Sequence, residues 1–482
     1  MALSDLDPEQ WLKRLVADHD EAKKGLVLMN SYYEGSQPLS YMAPELLNEL
    51  QDRMRQVVIN WPQLVVDSLE ERLDVEGFRY ADSETTADDL WSIWQANDLD
   101  EGSQQGHVDA LALGRAYVIV GANDEDDDTP LITVESALQV YAERDPRTRK
   151  VLAAVKRWEE PCLGAAPTKM ATLYLPDSRH VFALEKGKWA EKTDEGDQHD
   201  LGQVPVEMLA NRPRLESALG TSELKAVIPL SDAACKIATD MMLSAEYHAM
   251  PRRWATGVSR EDFTDEQGNP LGAFSSLAGR LWATENSDVK YGQFPEAQLT
   301  NFHDTLNALA RLVASLTGLP PAFLGLATDN PVSADAIRSS ETRLVKRAER
   351  RQRAFGGPWE RVMRLALLVR DGDVAPSARS LETQWRDPAT PTYAQKADAV
   401  VKLHAAGLLP TEQAWEDLGY SAEQRARMRD MQQDALDRAM GGDLAAVYGP
   451  KPPPPPAEPA APVTDGGEPA DGGDGAPPAA GE

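Results

Sequence analysis

Residues 220–242 read GTSELKAVIPLSDAACKIATDMM, and they mark the point where the chain changes period. Thr221 or Ser222 offers a hydroxyl N-cap. Leu224, Val227, Ile228, Cys235, Ile237, Met241 and Met242 then recur at helical spacing out to about Ala249, where Pro251 stops them. Pro229 either kinks this helix or marks its true start. Upstream the chain reads as strands, beginning with Ala116 to Gly121, which is rich in β-branched and aromatic residues. Ala116 to Gly121 with Leu131 to Val134 predicts one antiparallel pair, and Leu138 to Glu143 with Val151 to Trp158 a second, joined at Asp145-Pro146. Ala171 to Leu175 and Val181 to Leu184 add two strands, with Gly187 in the turn that follows. The region 115–210 thus reads as a β-meander beside long helices, and the fold class is α+β.

Working outward, the first hundred residues predict helices around Trp11 to Val16, Leu46 to Met54, Leu64 to Leu73 and Leu90 to Trp94. Asn60-Trp61-Pro62 interrupts the pattern, and Gly77 closes the third helix. Downstream of 242, residues 251–295 predict short strands and loops. A second long helix begins near Glu296, with an apolar stripe of Leu299, Phe302, Leu306, Leu309, Val313 and Leu316. Gly318 caps it and Pro320-Pro321 prevent its continuation. Residues 319–332 predict a loop. Ser333 caps a third long helix, with Asp335 in its first turn, and Gly356-Gly357-Pro358 ends it. A shorter helix from Trp359 to Val369, a lone strand from Ser380 to Trp385 and two or three helices over 392–441 follow. Residues 449–482, rich in Pro, Gly, Ala and Asp, bury too little apolar surface to order and read as a disordered tail.

Asp plus Glu number 78 against 49 Lys plus Arg, a formal net charge of -29, which excludes a general nucleic-acid binder whose affinity comes from a basic face. The two cysteines, Cys162 and Cys235, make neither a disulfide framework nor a thiolate metal site. No basic or apolar signal opens the sequence and no span of about 20 apolar residues occurs, so a cytoplasmic protein with no membrane partner is expected. Gly187-Lys188-Trp189 lacks the rest of a phosphate-binding loop, no dinucleotide glycine fingerprint exists, and no His pair has zincin spacing. Gly272 to Ser276 lacks the final glycine and the strand-to-helix setting of a nucleophile elbow. Neither a catalytic set nor a cofactor site is therefore expected. Asp124 to Asp128 is either a cation site or a solvated loop, and the second is favoured because EF-hand alternation is missing. Tyr32-Tyr33 is either a stacking platform or, as favoured, core or interface. The third long helix concentrates Arg338, Arg343, Lys346, Arg347, Arg350, Arg351 and Arg353. These cations either track phosphates or, as favoured in so acidic a chain, pair with carboxylates.

Several segments in this order resemble the portal protein of tailed bacteriophages, the head-to-tail connector of the long non-contractile-tail type. They are Tyr32 to Leu39; Asn60-Trp61 through Val65 to Ser68, Glu71 to Leu73 and Gly77-Phe78; His107 to Ala110 through Gly114 to Val118; Gly220 to Leu224 with Glu246-Tyr247 and Pro251 to Trp254; and Ser333 to Arg338 through Glu341. None of these motifs is catalytic. The resemblance spans roughly 25–445. It implies a non-enzymatic ring of about twelve copies at one capsid vertex, a conduit for double-stranded DNA during packaging and ejection. The implied parts are a wing over 1–215, a stem helix over 216–250, a clip over 251–295 and a second stem helix over 296–318. A tunnel loop would occupy 319–332, the long basic helix and return to the wing 333–391, and a helical crown facing the capsid interior 392–448. The implied partners are the terminase large subunit, a head-completion or adaptor protein, and the major capsid and scaffold proteins. The implied location is the virion, after assembly in the host cytoplasm.

Carried onto this sequence, Leu326, Asp329, Asn330 and Val332 face DNA, and Arg252, Arg253, Trp254 and Arg260 dock partners at the clip. Leu299, Phe302, Leu306, Leu309 and Val313 pack the stem, and Arg343, Lys346, Arg347 and Arg350 form the basic helix. An acidic conduit suits passage, because a wall making many phosphate contacts would hold its cargo. Two other classes stay open: a non-viral structural adaptor with long helices, and an enzyme whose metal site forms between subunits around Asp124 to Asp128. The tunnel-loop assignment predicts that Asp329→Arg impairs packaging while ring assembly is retained. Gel sizing of virion DNA checks it, and full-length DNA in normal yield would remove the assignment.

Overall fold

The computed structural model describes residues 6–38, 57–80, 87–161, 166–249, 253–256, 290–293, 299–326, 334–389, 393–420 and 424–436. The predicted Leu46–Met54 helix, the Ser333 cap and the C-terminal tail lie outside these residues. In chain order the elements begin with α1 (Pro8–Tyr33), α2 (Trp61–Glu70), β1 (Val75–Tyr80), α3 (Asp88–Ala96) and α4 (Leu99–Leu113). Strands β2 (Arg115–Gly121), β3 (Leu131–Ser136), β4 (Val140–Arg144), β5 (Val151–Glu160), β6 (Thr168–Tyr174), β7 (Ser178–Glu185), β8 (Lys188–Glu191), β9 (Asp197–Gln198) and β10 (Val206–Ala210) follow. Then come α5 (Ile228–Ala249), β11 (Arg253–Thr256), β12 (Lys290–Gln293), α6 (Thr300–Thr317), α7 (Ala334–Asp371), β13 (Leu381–Trp385), α8 (Tyr393–Ala405) and α9 (Thr411–Asp417). The described residues divide into two compact units, within Met1–Thr390 and Pro391–Glu482. In the second unit α8 and α9 pack together, and Arg425 and Arg429 of the helical stretch 424–436 pair with Glu416 and Glu412, each at 2.7 Å.

The first unit is mixed helix and sheet, as the sequence pattern requires, but the single meander resolves into two antiparallel sheets. One has the strand order β10-β2-β3, and the other runs β4-β5-β6-β7-β8 with β9 beside β7. The return of β10 to β2, with Val206 opposite Ile119, closes the smaller sheet and has no local signature. Six consecutive residues of β2, Arg115 to Val120, are buried, so both faces of this central strand are covered, and α4 and α7 both pack on it. Helix α1 bridges the two sheets. Trp11, Leu12 and Leu15 pack with Val155, Leu173 and Phe182 of the larger sheet, whereas Leu26 and Tyr32 belong to the core of the smaller one.

Four local readings are corrected. Asn60-Trp61-Pro62 starts α2 instead of merely interrupting a helix. Asn60 is its N-cap, accepts from the Gln63 amide at 3.3 Å and donates to the Tyr33 carbonyl at 2.9 Å. Gly77 does not close that helix, which stops at Glu70. It lies in β1, where the register shifts against β13. The strand at 381–385 is consequently not alone, since Phe78 pairs with Thr383. Gly356-Gly357-Pro358 does not end the third long helix, because α7 runs through it to Asp371. An internal proline costs about 3 kcal/mol. Phe355, Trp359, Val362, Met363 and Ala366 around it are all fully buried, and that packing outweighs the local penalty. Pro229 marks a start: Ser222 caps a 3-10 turn at Glu223–Ala226, and α5 begins at Ile228.

The core beneath α7 is aromatic. Trp359 Nε1 donates to His107 Nε2 at 3.0 Å, His107 stacks on Phe355 at 5.1 Å, and Trp94 meets Trp359 edge-on at 5.0 Å. Burial holds His107 down to about 3, and burial together with Arg157 holds His19 down to about 4. Glu70 moves the other way, pushed up to about 7 by burial and then by Asp74, Asp67 and Glu71. These shifts set a sign for acid stability. Each histidine is neutral when folded and takes up a proton on unfolding, so its contribution is full above the ordinary value of 6.5 and falls as pH drops toward 4. Glu70 protonates more readily in the fold, so it gains stability across the same window and offsets one histidine. These three groups together contribute a loss of about 1.4 kcal/mol per pH unit as the pH falls from 6 to 5. Denaturant unfolding at stepped pH checks this, and Glu70→Gln is expected to raise stability near neutrality and to steepen the acid slope by about 1.4 kcal/mol per pH unit.

Candidate functional site

The motif at 220–224 is the junction of the first unit. Gly220 has φ +82°, and a Cβ there would collide with the carbonyls of Gly114 and Asn211. Only glycine lets these three backbones meet. Gly114, at φ +95°, caps the C-terminus of α4 against Thr221 and Ser222. Asn211 binds Gly114 and Thr221 through its backbone, and its Nδ2 donates to the Thr221 carbonyl at 2.7 Å and to Glu223 Oε1 at 3.1 Å. Ser222 Oγ donates to the Ala112 carbonyl at 2.5 Å and accepts from the Leu224 amide at 3.0 Å.

This junction delivers one carboxylate to α7. The Glu223 side chain is 1% exposed. Arg347 Nη2 donates to its Oε2 at 2.6 Å, and Arg351 donates to its Oε1 through Nε at 3.2 Å and also through Nη2. Arg212 approaches within 3.6 Å. Burial alone would raise the Glu223 carboxyl, but Arg351 and Arg347 outweigh it and hold it below the usual carboxylate value. Burial lowers Arg347 despite this partner. Beside the cluster lies a cavity of about 370 Å³. Six cations line it, namely Arg212, Arg343, Lys346, Arg347, Arg350 and Arg351, together with Glu223, Ala226, Leu316 and Thr317.

The basic helix therefore both pairs and projects. Arg347 and Arg351 are engaged with Glu223, Lys346 pairs with Glu349 at 2.8 Å, and Arg343 donates to the Ser315 carbonyl at 2.5 Å while its stem lies over Gly318. Arg350 is exposed on the cavity side. In α6, Val313 is buried and Phe302, Leu306 and Leu309 are partly buried, with Leu299 at the N-cap. Leu316 leaves the stripe: it is 56% exposed, and Ala310, Ala314 and Thr317 complete the buried face in its place. Leu326 is partly buried beyond the 3-10 turn Pro321–Leu324, whereas Asp329, Asn330 and Val332 lie outside the described residues. Arg253 and Trp254 belong to β11, paired with β12, and Arg252 and Arg260 lie outside. Tyr32 is core and donates to Asp232 of α5 at 2.9 Å, and Tyr33 donates to Asp67 at 3.0 Å. Asp124 to Asp128 is an exposed loop between β2 and β3. Among the described residues no group of three His, Cys, Asp or Glu side chains could hold a metal ion, and no helix is long and apolar enough to cross a membrane. Cys235 is buried and its thiol is pushed up by that burial, while Cys162 lies outside.

What the cluster offers chemically is fixed positive charge on a rigid helix, suited to holding anionic groups in place. Sequence reasoning found the basic helix and missed its partner, Glu223, and the further cation beside that carboxylate, Arg212. Glu223 looks like an ordinary first-turn acid, and no spacing rule links it to residues 124 and 128 positions away.

The family model described as phage portal protein, SPP1 Gp6-like, matches residues 12–437, from α1 through the last described helix. The chain belongs to the phage portal protein family. It is 38% identical over 445 residues to the portal protein of Mycobacterium phage D29 and 37% identical over the same length to that of Mycobacterium phage L5, with 90% of each chain covered. Portal proteins are structural components of the phage virion, which accords with a site built from ion pairs and backbone contacts.

Removing the charge of Glu223 should show how much the portal junction depends on it. Glu223→Gln leaves Arg347 and Arg351 beside a neutral amide, and a loss of about 3–5 kcal/mol is expected. Arg353→Gln, on the exposed side of the same helix, is expected to change stability by less than about 0.5 kcal/mol. Denaturant midpoints of the two variants check the contrast.

Proposed function

We propose that this chain forms a closed ring of about twelve copies at one capsid vertex and serves as the conduit for double-stranded DNA. The observation that carries the reading is the family match that extends from residue 12 to residue 437. In this reading 1–215 is the wing, α5 and α6 are the stem helices and 251–295 is the clip. Residues 319–332 form the tunnel loop, 333–391 carry the basic helix back to the wing, and 392–448 are the crown. The clip meets the terminase large subunit during packaging and a head-completion protein afterwards, and the major capsid and scaffold proteins are further partners. Assembly takes place in the host cytoplasm and the product resides in the virion.

Two features support a conduit. The net charge of -29 disfavours tight capture of a polyanion. Helices α5 and α6 pack on one another through a narrow stripe, which leaves Leu312 and Leu316 of α6 52% and 56% exposed and available to a neighbouring copy. Twelve copies of 52.8 kDa give about 630 kDa. Mass measurement in solution with negative-stain imaging is expected to show a ring of about that mass with a central hole. A monomer at every protein and salt concentration, with or without scaffold and capsid protein, would remove the reading.

A further inference from the structure

The cavity beside α7 carries more positive charge than the fold itself uses. Six cations face one carboxylate there, and that carboxylate is already bonded to Arg347 and Arg351. Arg347 Nη1 is buried without a hydrogen-bond partner among the described residues, and Arg350 stands exposed on the cavity side. Such a concentration of like charge repels itself until an anion enters. The wall is not wholly polar. Leu316 lines it, Leu312 stands one turn before Leu316 on α6 at 52% exposure, and Phe323 in the 3-10 turn after α6 is 39% exposed.

We propose that this cavity is the receiving half of the contact between neighbouring copies, taking carboxylates borne on an apolar-flanked surface of a second copy of this chain. The inference rests on the ring reading and adds to it a residue-level interface. A closed ring of one chain joins two different faces of the same molecule, so one face must complement the other. Copies that each carry -29 repel unless a positive face meets a negative one. The cavity supplies the positive face, and the excess of acids over the rest of the chain supplies the negative one. Guanidinium forks bind carboxylates bidentately, and the adjoining leucines and phenylalanine suit a protein surface better than a sugar-phosphate backbone.

Lys346 is the one lysine lining the cavity among the described residues, so it can report the occupant. Unlabelled and 15N-labelled full-length chains are assembled together and treated with a zero-length carbodiimide, and the amides formed at Lys346 are mapped by mass spectrometry. Links of mixed isotope, joining Lys346 to a carboxylate of another copy, are expected in the assembled fraction. Arg343→Glu/Arg350→Glu is expected to weaken assembly by roughly tenfold or more. Arg350→Glu alone, at an exposed position, is the milder second variant and keeps native circular dichroism. The inference falls if Lys346 links only within its own copy, for example to Glu349, or if folded Arg350→Glu and the double variant both assemble as the parent does. It falls equally if the variants assemble normally but lose retention of a duplex oligonucleotide, which would assign the cavity to phosphate. An assembling parent chain with no mixed links removes this inference alone, whereas a parent that never assembles removes the ring reading and this with it.

Discussion

One buried carboxylate governs the geometry of the first unit. Glu223 lies at the entrance to α5, yet its two oxygens are held by Arg347 and Arg351, one turn apart on α7. Withdrawing these charges from water costs several kcal/mol per ion, so the arrangement persists only because Asn211 and both guanidinium groups occupy the oxygens. Its return is positional. The carboxylate fixes where α7 lies along the junction formed by Gly220, Asn211 and Gly114, and that junction holds the end of α4 against the exit from β10. A shift of α7 by one residue would turn both arginines away by about 100° and leave Glu223 buried and unpaired.

The register set at that end determines what the rest of α7 does. Its first half is basic and faces the cavity. Its second half carries Phe355, Trp359, Val362 and Met363 into the core, where His107 and Trp94 meet them. A continuous helix of 38 residues couples the two, and Pro358 does not interrupt it. Thr383 Oγ1 bonds the Gly356 carbonyl at 3.2 Å, which ties β13, and through it β1, to the middle of the helix. The charged end and the aromatic end are therefore parts of one lever.

Elements whose cause is local were legible in the sequence. The hairpins β2–β3 and β4–β5, the apolar stripe of α6 and its Gly318 cap follow from β-branched and aromatic runs between turn residues, helical spacing and a left-handed glycine. Elements whose cause is remote were not. Helix α4 is buried on several sides and built from small residues such as Gly102, Ser103, Gly106 and Ala110, so it shows no one-sided stripe. β1 looked like the end of a helix because its partner, β13, lies some three hundred residues away. Leu316 fitted the α6 stripe by spacing, but the face that α6 buries turns toward Ala310, Ala314 and Thr317. The basic helix was visible as composition. That two of its arginines serve a buried acid while others line a cavity depends on the fold that brings residue 223 to residue 351.

The portal family match and the charge distribution bear on the same physical problem from different sides. A conduit that handles a polyanion gains from a net negative charge, since its walls then do not compete for phosphate. In the proposed ring the same charge would oppose assembly, because each added copy would bring its full excess of acid. The conflict eases if the positive charge is gathered at one site and kept from pairing off along the chain. Glu223 does this in part: it neutralises some of the arginine cluster, enough to let Arg351 be buried, and leaves Arg350 exposed at the cavity, whereas Lys346 pairs with Glu349 and Arg343 bonds the Ser315 carbonyl. A second carboxylate at the position of Glu223 would cancel that surplus, and loss of Glu223 would make the cluster too repulsive to pack. A single acid between two arginines lies between those limits: it is stable within one copy and leaves the surplus charge on which the proposed contact with a second copy depends.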